Sequence, residues 1–180
     1  LIRILATAAF LTMCAPATAE TQVFGPFRVA PEHPTVAVMV GEILFGDEQH
    51  FSALLAAYPD LQTVGLSSPG GDVTAGLAIA EAVAAHGLDT IIPKNQACYS
   101  ACAYVFFAGR SRQVDGEIGV HMPEPVVDGP GVRVAIELEI RRVLADFDVP
   151  IWIYDGVLNT PHDKLRVFDA AEAVEIGLNR

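Results

Sequence analysis

Short apolar runs alternate along this chain with longer stretches of helical spacing. Residues 36–40, Val-Ala-Val-Met-Val, suit a strand buried on both faces. Over residues 47–58, Phe51, Leu54, Leu55 and Tyr58 recur on one helical face, and Pro59 stops the helix. A strand is predicted over 63–66, an Ala-rich helix over 74–86 closed by Gly87, and a third strand over 90–92. Residues 100–108 read as a buried helix that starts at a tight turn. Short strands follow at 113–114 and 118–120, then a Pro/Gly loop over 123–131. An amphipathic helix is predicted over 134–147, with Arg141 and Arg142 facing outward, and a last helix over 170–177. Strand alternating with helix predicts the α/β class with a mainly parallel sheet.

The N-terminus breaks this pattern. Residues 1–19, LIRILATAAFLTMCAPATA, carry one charge (Arg3), an apolar stretch, and a small-x-small ending at Ala17-Thr18-Ala19. They are expected to be a signal peptide cut near Ala19, which would place the protein in the periplasm. Cys14 raises a lipoprotein anchor, disfavoured because bulky Met13 precedes it where a small residue is expected. Residues 20–35, with Pro26, Pro31 and Pro34, read as an extended lead-in, and residues 36–180 as one domain.

Charge narrows the function classes. Eleven Lys and Arg stand against 22 Asp and Glu in 180 residues, a formal charge of −11, with no basic cluster. Phosphate-backbone binding needs clustered cations, so no nucleic acid partner is expected. The spacings HxH, HExxH and CxxC are absent, so no metal is expected, and nothing calls for a cofactor. Cys98 and Cys102 admit a disulfide in an oxidising compartment if Cys98 stands just before the helix; otherwise they are two small buried side chains.

Three places can carry chemistry. Ser67-Ser68-Pro69-Gly70-Gly71-Asp72 lies between a strand and a helix, where two residues without Cβ let backbone N–H groups converge on an oxyanion. An ordinary β–α turn has the same composition, with Asp72 as the helix cap. Ser100 opens a helix of small residues and is either an N-cap or a nucleophile with a base in reach. His121 ends a strand beside Pro123, a placement that serves packing or general-base chemistry.

Taken in order, SSPGGDVTAGLAIA, CYSACAYVFFAG, IGVHMPEP and FDAAEAVEIGL resemble the proteolytic subunit of Clp protease over about residues 36–179. More closely, the chain is similar to the exported bacterial Clp-protease-like proteins with a CxSAC serine motif. The resemblance implies a ClpP/crotonase-like α/β fold, a spiral of βαβ units with a mainly parallel sheet. It matches Ser100 to the nucleophile and His121 to the general base. Gly71 and the Ala101 N–H match the oxyanion hole, with Gly70 supporting the turn, and the helix from Val134 matches the region that builds oligomers.

The third catalytic residue departs from that pattern. The family's aspartate position falls on His162, and Asp163 beside it is the favoured substitute, with Asp155 and Asn159 in reserve. A Ser/Lys pair is a lesser expectation, the only lysines being Lys94 and Lys164. The resemblance thus implies an exported serine peptidase acting on peptides or unfolded proteins, as a homo-oligomer, without an ATPase partner. Two other readings stand beside it: an inactive module kept for binding or assembly, and crotonase-like acyl-CoA chemistry. The Ser100/His121 pair and the leader argue against the last.

Overall fold

The computed structural model describes residues 20–124 and 129–180. The expected leader, with Cys14, and residues 125–128 of the expected loop lie outside the described residues.

The predicted strands at 36–40, 63–66 and 90–92 form β3 (Val36–Val40), β4 (Thr63–Ser67) and β5 (Asp89–Ile92), and β7 (Arg112–Val114) joins them in a parallel array. Ala37 and Met39 of β3 are fully buried, but Val40 is exposed, so this strand buries chiefly one face. Helix α1 (Asp47–Ala57) packs Phe51 and Leu54 into the core, and α2 (Val73–Ala85) packs Ile79, Ala80 and Val83. Each large side chain so buried contributes on the order of 1.5–3 kcal/mol.

The lead-in is extended and also paired. It turns at Gly25 and Pro26 into a hairpin, β1 (Gln22–Phe24) and β2 (Phe27–Val29), which adds to β3 antiparallel. Phe27 and Val29 are fully buried, and the Phe27 ring lies 4.9 Å from that of Phe51. Burial of two apolar residues on one face of a short strand fixes the hairpin on the sheet.

A second, three-stranded sheet orders β6 (Ala97–Tyr99), β8 (Glu117–Val120) and β9 (Arg166–Asp169); β6 and β8 run parallel, β8 and β9 antiparallel. Between β6 and β8 the chain makes α3 (Ala101–Phe107), buried at every position. Helix α4 (Pro130–Asp146) starts four residues before the predicted position, with Pro130 at its first turn, where a missing N–H costs nothing. Arg141 and Arg142 are exposed on it and pair with Glu137, Glu139 and Asp146. Helix α5 (Ile151–Asn159) buries Ile153 and Val157, four apart. The short α6 (Ala170–Glu175) starts at a capping box between Asp169 and Glu172.

One buried cation ties helix ends together. Arg112, 3% exposed, donates to the carbonyls of Phe107 (3.1 Å), Phe147 (3.1 Å) and Asp148 (3.2 Å), at the C-terminal ends of α3 and α4. Burial lowers its pKa to about 10, which leaves it charged at neutral pH and favourable to both helix dipoles. Among the described residues, no helix is long and apolar enough to cross a membrane.

Candidate active site

Ser100 and His121 come together because β6 and β8 are parallel neighbours. Tyr99 stands opposite Gly119 in that ladder, so the residues leaving the C-terminal ends of both strands emerge side by side. The Ser100 N–H donates to the Gly119 carbonyl (2.9 Å). Its backbone takes φ 54°, ψ −122°, a left-handed turn that costs a non-glycine residue about 1–3 kcal/mol. The turn lifts the hydroxyl toward the imidazole: Ser100 Oγ lies 2.7 Å from His121 Nε2. Although Ser100 holds the N-cap position, its side chain makes no cap hydrogen bond, so the hydroxyl is directed to His121 instead.

The other ring nitrogen fixes the tautomer. His121 Nδ1 is 3.0 Å from the Met122 carbonyl oxygen, an acceptor only, so Nδ1 carries the proton and donates it there. Nε2 is left as the acceptor for the Ser100 hydroxyl.

The glycine loop is docked on the serine turn by Ser68, 3% exposed. Its N–H donates to Ala97 O (2.8 Å), its carbonyl accepts from Tyr99 N–H (2.9 Å), and its Oγ accepts from Gly70 N–H (3.1 Å). Gly70 therefore supports the turn with its own N–H engaged. It has φ +97°, and an added Cβ would lie 2.6 Å from Tyr99 O and 2.7 Å from Ser100 Cβ. Gly71, at φ +139°, would drive a Cβ into the Ile43 carbonyl oxygen. The N–H groups of Gly71 and of Ala101, the first residue of α3, find no acceptor among the described residues. Asp72 caps α2, accepting from Ala75 N–H at 2.8 Å.

Cys98 on β6 and Cys102 on α3 are joined by a disulfide, Cα–Cα 5.3 Å, which brackets Ser100. Cys98 stands in a strand before the helix, the arrangement that a bridge across four residues requires.

A cleft of about 350 Å³ opens over the serine, lined by Pro69, Ser100, His121, His162, Asp163 and Leu165. Asp163 shares this cleft with His121, but no hydrogen bond joins them among the described residues. Asp155 and Asn159 are exposed on α5 and make none to the ring either. His162, at the family's aspartate position, pairs with Glu124 (3.3 Å). Lys164 reaches the cleft wall, and Lys94 lies exposed elsewhere. No group of three His, Cys, Asp or Glu among the described residues is placed to hold a metal ion.

Two participants escaped the sequence reading. Ser68 is one of two adjacent serines, and only its pairing with Cys98 marks it. Met122 acts through its carbonyl, which side-chain patterns do not register.

The two sheets, the glycine loop and the helix after the serine make this a ClpP-like α/β fold with a mainly parallel sheet. One solved structure that is similar to it is a mutant of 1510-N, a membrane-bound stomatin-specific protease. It aligns at TM-score 0.62 and 15% identity, over 81% of this chain and 76% of that one. In all, 413 solved chains match, so the fold recurs too widely to select a function by itself. No protein-family model matches the sequence, and no curated protein matches it.

Proposed function

We propose that the protein is an exported, ATP-independent serine peptidase that hydrolyses peptide bonds through an acyl-enzyme at Ser100. The observation that carries this reading is the 2.7 Å Ser100–His121 hydrogen bond beside two backbone donors that have no partner among the described residues. Acyl transfer needs these parts together: a nucleophile, a base and a pair of donors for the oxyanion. Ser100 Oγ attacks the peptide carbonyl while His121 Nε2 takes its proton. The resulting oxyanion receives the N–H groups of Gly71 and Ala101. Collapse breaks the C–N bond, and His121 returns the proton to the leaving amine. Water then gives a proton to His121 as its oxygen bonds the acyl carbon. Collapse breaks the ester bond to Ser100 Oγ, and His121 returns the proton to that oxygen, releasing the acid and the free serine.

The Met122 carbonyl holds the ring in the required tautomer. Asp163, in the same cleft, supplies negative potential to the imidazolium without holding it. Fold likeness to a protease supports the hydrolase class. Exposed Val134 and Leu138 on α4, with Ile151 and Trp152 on α5, support assembly into a homo-oligomer. The leader-like pattern of residues 1–19 supports export to the periplasm, where a cytosolic ATPase would not reach the protein.

A second reading, an inactive module for binding or assembly, is favoured by one observation. The His121 Nδ1 meets a neutral carbonyl instead of a carboxylate. Incubation with an unfolded protein and fluorogenic peptides, without ATP and beside Ser100→Ala, separates the two. Cleavage by the wild type alone is expected; substrates left intact by both would assign the module.

A further inference from the structure

We propose that Lys164 selects a carboxylate on the leaving-group side of the scissile bond, supplied by an Asp or Glu side chain or by the substrate's own C-terminus. The assignment rests on the peptidase reading above. His121 Nε2 has to hand its proton to the leaving nitrogen, so the first residue released lies on the imidazole side of Ser100. The wall there is the segment that enters β9. Arg166 stands opposite Val120 in the antiparallel ladder, so Leu165 and Lys164 run back past His121 and Met122. Two backbone bonds fix that segment. Met122 N–H donates to Thr160 O (2.9 Å), and Lys164 N–H donates to Pro161 O (3.0 Å), closing a turn. Lys164 thereby joins the wall of the cleft of about 350 Å³ that contains Ser100 and His121.

The charge of Lys164 is not matched within the protein. Every described arginine has a partner, whether a carboxylate, a carbonyl or another group. The Lys164 ammonium has none among the described residues. Lys94 has none either, but it lines a groove at the opposite, N-terminal ends of β6 and β8. Lys164 is therefore the described cation that stands at the serine without an acid to hold it.

The neighbouring carboxylates are engaged elsewhere: Asp72 accepts from Ala75 N–H (2.8 Å), and Glu124 pairs with His162 (3.3 Å). Asp163 shares the cleft, and its charge is matched once His121 becomes an imidazolium, the state from which the leaving amine departs. Lys164 is then an uncompensated cation beside the residue being released. Its flexible stem and three donors serve a side-chain carboxylate just beyond the cut, or a terminal carboxylate at the same place. A basic residue there meets repulsion from the ammonium and competes with the imidazolium for Asp163.

The test is digestion of a degenerate peptide library, in free-acid and C-terminally amidated forms, by the wild type, Lys164→Gln and Lys164→Glu. Cut sites are read by mass spectrometry, and circular dichroism melting reports folding. In the wild type, cuts that place a carboxylate on the first released residue are expected about two- to fivefold more often than cuts that place Lys or Arg there. That is the worth of one partly exposed ion pair. A preference kept in the amidated library assigns it to Asp and Glu side chains; one confined to the free-acid library assigns it to the C-terminus. Lys164→Gln should flatten the preference. Lys164→Glu should reverse it toward Lys and Arg, which a loss of structure would not do. No charge preference in the wild type, or one that survives in Lys164→Glu, overturns the assignment. Fluorophosphonate labelling of the wild type, run in parallel, reports the nucleophile separately. Labelling at Ser100 without cleavage, or with cleavage indifferent to charge, removes this subsite alone. Neither labelling nor cleavage removes the subsite together with the peptidase reading.

Discussion

The hydroxyl of Ser100 lies 2.7 Å from Nε2 of His121, although each residue only just leaves its own strand. Parallel pairing of β6 with β8 makes the contact, and the positive φ of Ser100 aims it. What holds the imidazole on its far side is the carbonyl of the next residue, Met122.

That last contact sets an expectation for Asp163. A carboxylate hydrogen-bonded to the histidine of a serine triad is worth about 10⁴ in turnover. Asp163 lines the cleft without such a bond, so Asp163→Asn is expected to slow fluorophosphonate labelling by about tenfold or less. Second-order labelling rates of the two proteins check this. A loss of several thousandfold would make Asp163 a triad member that reaches His121 on substrate binding.

The Cys98–Cys102 bridge closes a five-residue ring around the strained serine, and both cysteines are fully buried. Chain entropy alone assigns so small a ring about 2 kcal/mol. The double variant Cys98→Ala/Cys102→Ala is expected to lose about that much stability in denaturant titration. Its labelling should also slow, because one of the restraints that hold Ser100 in its positive-φ turn is then lost. Unchanged labelling would leave the bridge a purely structural role.

At Gly70 an added side chain would meet the serine turn. Gly70→Ala places a Cβ 2.7 Å from Ser100 Cβ at φ +97°, so one of the two backbones has to move. Labelling is expected to fall at least tenfold, with a drop in melting temperature measured by circular dichroism, since strain of this kind costs about 1–3 kcal/mol. Wild-type labelling in this variant would mean that the loop does not set the serine's position.

How much of this was legible follows from what each residue's pattern records. Thr63–Ser67 and Val73–Ala85 announced themselves by β-branched runs, helical spacing and flanking glycines. The serine, the histidine and the glycine pair were legible as motifs, but their contact depends on the pairing of β6 with β8. That is a long-range ladder with no local sign. Helix α5 was not foreseen, because Ile-Trp-Ile-Tyr has the aromatic and β-branched composition of a strand. Tertiary burial of Ile153 and Val157 overrides that preference. The hairpin of residues 22–29 was masked by Pro26, which sits in its turn. Strand β9 was missed because Arg166–Asp169 buries only Phe168 deeply, leaving little alternation to read.

Activation of Ser100 by His121 is tested most directly by covalent labelling. We would treat the folded protein, Ser100→Ala and His121→Ala with a fluorophosphonate probe and locate the adduct by mass spectrometry. One adduct, on Ser100, is expected in the wild type and none in either variant. Folded wild-type protein that stays unlabelled across several pH values would contradict it, and so would labelling that survives in His121→Ala at the wild-type rate.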